Sequence, residues 1–204
     1  MPSRYRVRRV FKGLVWAIAR PLARAGVRPD TITYLCLLFA LIAALGLNLS
    51  GSTIFFGIFV FLSGLFDGVD GAVARERGIA SDAGAFTDSV IDKISEVLIL
   101  SAIAVEYSTT TLFGLPVTGW VIIAITGWIL TSYTRARATS LGVTDLDIGL
   151  GGRSERLFTL VVFSILNLLL WGLVIVALMG MLTAIYRFHY YRNEIIETQN
   201  GSND

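Results

Sequence analysis

The chain has 204 residues, 54% hydrophobic and 16% charged, with a formal net charge of +2 and a mean hydropathy of +0.70. That is too apolar for an ordinary soluble domain and reads as a small polytopic membrane protein. One cysteine, Cys36, excludes an intramolecular disulfide and a cysteine-based zinc site, and no nucleic-acid partner is expected.

Eight of the seventeen basic residues, Arg4, Arg6, Arg8, Arg9, Lys12, Arg20, Arg24 and Arg28, precede the first long apolar run. Between residues 5 and 22, Val7, Val10, Phe11, Leu14, Val15, Ile18 and Leu22 recur at helical spacing while Arg6, Arg9, Lys12 and Arg20 lie off that stripe. Within the basic amphipathic segment 1–30, residues 5 to 22 suggest a helix on the membrane surface, and a basic stop flanking the first span is the alternative reading. No cleavable signal peptide is expected, because the apolar positions are spread among arginines.

Pro29 discourages helix at Arg28, and Asp30 or Thr31 can cap the first span, Thr31 to Leu49. A second run from Thr53 must continue through Asp67 to about Ala74 to reach span length. A third starts by Ala83 and carries Asp88 and Asp92 in its first turns, and a fourth covers Pro116 to Ser132. Ser132 to Arg156 is polar and basic, with Gly149 to Gly152 as a flexible loop. Leu157 to Tyr186 is read as two helices turning near Asn167 to Gly172. The expected fold is an all-α membrane protein of six transmembrane helices over 31–192, preceded by the surface helix and followed by a polar, disordered tail, 193–204. With both termini in the cytoplasm, Lys and Arg concentrate on one side and the three opposite loops have none. His189 falls in an interfacial belt with Tyr186, Phe188, Tyr190 and Tyr191, which suits an anchor.

Asp67 and Asp70 are three apart, Asp88 and Asp92 four apart, so each pair projects from one helix face. Gly71, Ala74 and Gly84 continue those faces with almost no side chain, which predicts a close approach of the two helices around a pocket of four carboxylates. Such a cluster calls for a divalent ion, and oxygen-only ligands favour magnesium or manganese. Glu96 follows Asp92 by one turn and reads as a support for a ligand or a buried protonated acid.

The pattern Asp67-x2-Asp70-Gly71-x2-Ala74-Arg75-x8-Gly84-x3-Asp88-x3-Asp92 resembles the signature of the CDP-alcohol phosphotransferase family at all eight fixed positions. The resemblance implies transfer of a phosphoalcohol from a CDP-linked lipid, CDP-diacylglycerol or CDP-archaeol, to a hydroxyl, releasing CMP. It further implies two divalent ions on Asp67, Asp70, Asp88 and Asp92, with Asp92 as the base. Asp67, Asp70, Gly71, Ala74, Arg75 and Gly84 then line the cytidine diphosphate site, joined by Thr31. Family members are commonly homodimers.

The motif leaves the acceptor open. Arg135 and Arg137, then Arg153 and Arg156, offer rigid forks suited to a phosphate. Their segments resemble those of phosphatidylinositol-phosphate synthases and archaetidylinositol-phosphate synthases, where a lysine often stands at Arg135. That resemblance implies inositol 1-phosphate as acceptor, bound by these arginines with Arg187 and Ser132. Glycerol 3-phosphate is the nearest rival. A divalent-cation transporter is the reading from a different class, and a member that binds lipid without catalysis is a third.

Overall fold

The structure is a computed structural model that describes residues 10–144, 146, 148–149 and 151–201, with side chains to residue 198. Its helices are α1 (Lys12–Arg24), α2 (Pro29–Ser50), α3 (Thr53–Glu76), α4 (Asp82–Glu106), α5 (Val117–Ser140), α6 (Arg153–Ile165) and α7 (Leu169–Gly201). A two-stranded hairpin, β1 (Thr111–Leu112) and β2 (Leu115–Pro116), precedes α5.

Local chemistry explains the boundaries. Pro29 occupies the first turn of α2 behind an extended Arg28, and Gly51 ends that helix at φ +66°. Ser52 and Ser81 cap α3 and α4, each hydroxyl accepting the N–H three residues on, Phe55 at 3.3 Å and Gly84 at 3.1 Å. The turn expected near Asn167 falls between α6 and α7, where Asn167 has φ +57° and its side-chain oxygen accepts a hydrogen bond from Thr53 at 2.8 Å. Phe113 and Gly114 both have positive φ, which closes the hairpin as a two-residue turn. Leu112 then accepts a hydrogen bond from the Trp120 indole at 3.0 Å, and Phe113 packs edge-on against Trp171.

Four helices among the described residues are long and apolar enough to cross a membrane: α2, α3, α5 and residues 169–198 of α7. Two of the six expected apolar runs fall outside that group. α4 has 25 residues but carries Asp82, Asp88, Asp92, Lys93 and Glu96. α6 has 13 residues, which at 1.5 Å each is about 20 Å against a hydrocarbon core of about 30 Å.

The main core joins α2, α3, α4, α5, α6 and α7 through Leu47, Phe56, Val60, Ile99, Leu100, Trp128, Leu160 and Leu173. A second cluster docks α1 on the polar end of α3, with Ala19 against Val69, Ala72 and Val73 while Lys12, Arg20 and Arg24 stay exposed. The part of the expected amphipathic helix before Val10, with Val7 and four arginines, lies outside the described residues. α5 and α7 make the tightest crossing, since a Cβ on Gly127 would stand 2.6 Å from the Met181 backbone nitrogen. Trp128 and Thr131 donate across it to the carbonyls of Val176 at 3.2 Å and Gly180 at 3.1 Å. Gly127→Val is expected to destabilise the protein by at least about 1–3 kcal/mol, read as a lower Tm in detergent.

Three expectations are corrected. The helix of the fourth run does not stop at Ser132 but continues to Ser140, because the Ala, Arg and Thr residues from Ser132 on carry it without a breaker up to Gly142. The tail after Arg192 is helical as far as Gly201 instead of disordered. Tyr191 and Ile195 there pack on Ala138, Val143 and Ile148, which gives the polar extension an apolar seam. Finally, α3 and α4 do not pack along one another; α2 lies against both. The small residues of α3 serve other neighbours, Gly57 meeting Ser164 and Val161, Gly64 meeting Leu157, and Gly68 meeting Val15.

Candidate functional site

With α3 and α4 held apart by α2, the space between their polar ends is a cavity of about 860 Å³. Its walls carry Asp67, Asp70, Gly71 and Arg75 from α3, Asp88, Ser89, Asp92 and Lys93 from α4, Ser132 and Arg135 from α5, Arg153 and Arg156 from α6, and Arg187 from α7. The helical spacings put each aspartate pair toward this one space.

Asp67, Asp88 and Asp92 each offer a carboxylate oxygen, all within 4.8 Å of one another. An all-oxygen set of that size fits a hard divalent ion. Asp70 is oriented differently. It is buried, and its Oδ2 accepts a 2.8 Å hydrogen bond from the Thr33 hydroxyl while Oδ1 takes the Gly71 N–H. Thr33 thus fixes the direction of one carboxylate as a supporting partner does around a metal. Thr33→Val is expected to weaken Mn2+ binding roughly 10-fold, measured by titration of the detergent-solubilised protein.

The arginines divide into distinct settings. Arg153 pairs with Asp67, with Asp92 at 2.8 Å and with Glu96 at 3.2 Å, so it enters the carboxylate cluster itself. Arg156 is 1% exposed and lies 4.6 Å over the Trp128 ring, with Nε and Nη1 lacking a hydrogen-bond partner among the described residues. Arg187 is buried and donates to the carbonyls of Thr131 at 2.9 Å and Ile148 at 3.1 Å. Arg135 reaches the cavity wall from an exposed position. Arg75 folds back over Gly71, whose missing Cβ leaves room for the guanidinium.

Some expected site residues stand elsewhere. Arg137 is exposed and donates to Ser140 at 3.4 Å, away from the cavity wall. Gly84 lies in the exposed first turn of α4, and Ala74 stands on α3 outside the wall. Thr31 faces a separate apolar recess with Leu22, Val27, Tyr34 and Phe66, because two residues along a helix is about 200° of rotation and Thr33 takes the inward side. Conversely, Lys93 and Thr33 enter the site without having been picked out in the sequence. Lys93 donates to Glu96 at 2.5 Å. Its spacing of three from Glu96 was the available signal.

The chain is similar to known proteins in sequence and in fold. Residues 27–188 match the family model described as CDP-alcohol phosphatidyltransferase. The archaetidylinositol phosphate synthase of Pyrococcus horikoshii is 32% identical over 172 residues, covering 84% of this chain and 87% of that protein. A phosphatidylinositol phosphate synthase of Mycobacteroides abscessus is 33% identical over 153 residues, covering 74% of this chain and 67% of that protein. Crystal structures of Mycobacterium tuberculosis phosphatidylinositol phosphate synthase superpose well. The one with CDP-DAG bound has TM-score 0.74 at 28% identity, covering 87% of this chain and 92% of that one. The one in complex with manganese and citrate has TM-score 0.73 at 28% identity, covering 87% and 88%. With the eight-residue motif intact, its aspartates gathered in one cavity and the matching region running from before α2 into α7, the chain belongs to the CDP-alcohol phosphatidyltransferase family.

Proposed function

We propose that this membrane transferase moves a phosphatidyl-type group from a CDP-linked lipid to the hydroxyl of inositol 1-phosphate, releasing CMP. The observation that carries the acceptor is the coexistence, in one cavity, of the carboxylate cluster and the buried Arg156 with open guanidinium donors. A carboxylate cluster alone suits the donor's diphosphate and its counter-ions. A fixed guanidinium with unmet donors suits a second anion, the acceptor's phosphate. The names of the relatives support inositol phosphate over glycerol 3-phosphate.

Within the cavity Gly71 and Arg75 border the donor's diphosphate, and Asp92 accepts the proton of the attacking hydroxyl. Magnesium or manganese, two ions by the family resemblance, would be held by Asp67, Asp70, Asp88 and Asp92 and would neutralise charge on the diphosphate and the departing CMP. Arg156, Arg135 and Arg187, with Ser132, hold the acceptor phosphate. We read six spans after α1, α4 with its charges covered by its neighbours and α6 as a short helix that runs from the cavity wall to the opposite side, where Asn167 meets Thr53, with the cavity and both termini on the cytoplasmic side. The absence of Lys and Arg from the three opposite loops supports this. α1 then lies in the interface with its basic face toward anionic headgroups, and a homodimer is the state the family resemblance implies.

The test is CMP release by purified protein given CDP-diacylglycerol or CDP-archaeol, magnesium, and inositol 1-phosphate, glycerol 3-phosphate, serine or free inositol in parallel. Inositol 1-phosphate should support release and free inositol should not. Release only with glycerol 3-phosphate would reassign the acceptor, and passage of metal into liposomes without CMP would favour a transporter.

A further inference from the structure

Glu96 is the acid that the transfer reaction leaves without a role. It sits one turn beyond Asp92 on α4, 2% exposed, with Oε2 accepting from Lys93 at 2.5 Å and Oε1 3.2 Å from Arg153 Nε, a charge contact without hydrogen-bond geometry. The other two nitrogens of the same guanidinium reach Asp67 and Asp92. One cation is therefore shared among three carboxylates, two of which are expected metal ligands. Coulomb attraction inside a protein falls slowly with distance, so how much of Arg153 each carboxylate holds depends on the third.

We propose that Glu96 is a positioning residue that draws Arg153 away from Asp67 and Asp92 and thereby sets how readily those two carboxylates accept a divalent ion. The proposal rests on the metal-dependent reading of the cavity but not on the acceptor's identity. Without the charge of Glu96, the guanidinium is held by Asp67 and Asp92 alone, and an incoming ion competes with a tighter pair. Lys93 limits the effect by taking the second oxygen of Glu96, so that the carboxylate engages Arg153 through one oxygen. Glu96 thus acts through Arg153, which separates it from a distant negative charge that simply attracts cations.

A double-mutant cycle distinguishes the two. Mn2+ binding to the full-length protein in detergent, followed by electron paramagnetic resonance, is measured for wild type, Glu96→Gln, Arg153→Met and the double variant. The expected result is a roughly 10-fold weaker Kd in Glu96→Gln, in the range that supporting partners of metal ligands contribute. In the Arg153→Met background the same change should have almost no effect. Glu96→Asp, which keeps the charge but withdraws it by one methylene, should give a loss of the same sign and smaller size, and it serves if Glu96→Gln does not fold. Unchanged Mn2+ affinity in Glu96→Gln, a loss that persists in the Arg153→Met background, or no Mn2+ binding by the wild type would each overturn the proposal. CMP release measured alongside keeps the two readings apart: a wild type that binds Mn2+ yet releases no CMP removes the transferase reading and leaves the cycle to decide on Glu96.

Discussion

Asp92→Asn is expected to lower the rate of CMP release by about 10²- to 10⁴-fold, the range associated with a positioned proton acceptor. The substitution preserves side-chain volume, so packing on α4 is undisturbed, but amide nitrogen can neither take the hydroxyl proton nor repel as a carboxylate does. Asp92 stands within the 4.8 Å cluster formed with Asp67 and Asp88, and its Oδ1 is 2.8 Å from Arg153. Loss of its charge therefore also weakens cation binding, which predicts that raising the magnesium concentration restores only part of the rate. Asp82→Asn supplies the comparison. Asp82 is exposed in the first turn of the same helix and away from the cavity wall, so its rate should stay at the wild-type level. Equal losses in the two variants would remove Asp92 from its assigned role.

Arg156→Gln is expected to raise the KM for the phosphorylated acceptor roughly 10- to 100-fold, because a hydrogen bond to a charged group contributes about 1.5–3 kcal/mol. The KM for the CDP-linked lipid should be unchanged, since the carboxylate cluster and Arg75 stay in place. Arg156 Cζ lies 4.6 Å from the Trp128 ring centroid, and its Nε and Nη1 are buried without a hydrogen-bond partner among the described residues, on a side chain that lines the cavity. Arg156→Lys keeps the charge and loses the fork, so it should fall between the two. Arg137→Gln should leave both constants as they are, because Arg137 is exposed with Ser140 as its neighbour and stands off the cavity wall. Parallel increases in both KM values for Arg156→Gln would mean a loss of fold rather than of acceptor recognition.

The division between what was legible and what was not follows the range of the forces involved. The start of α2 was readable from Pro29, which disfavours helix at Arg28, although Arg28 and not Asp30 or Thr31 stands at the cap; the caps of α3 and α4, Ser52 and Ser81, act on N–H groups three residues on. The ends of α5 and α7 lie beyond the apolar runs, at Ser140 and Gly201, because polarity alone does not end a helix. Polar residues continue a helix readily when a neighbour offers a seam, as Ala138, Val143 and Ile148 do for Tyr191 and Ile195. The glycines of α3 announced close packing without saying with what, and the partners are α1 and α6 rather than α4.

The sequence by itself determined the helical membrane class, the family and the pairing of the aspartates on two helix faces. An apolar composition, a helical repeat and an eight-residue pattern are all properties of neighbouring positions. Only the tertiary structure decided which cation meets which carboxylate. Arg153, Arg156 and Arg187 look alike along the chain, yet the first enters the carboxylate cluster, the second lies over Trp128 with donors to spare, and the third is tied to two carbonyls. Likewise Thr33 rather than Thr31 reaches Asp70. Each of these outcomes depends on where α2, α5, α6 and α7 stand relative to α3 and α4, and electrostatic pairing over a few ångströms is set by that placement rather than by spacing along the chain.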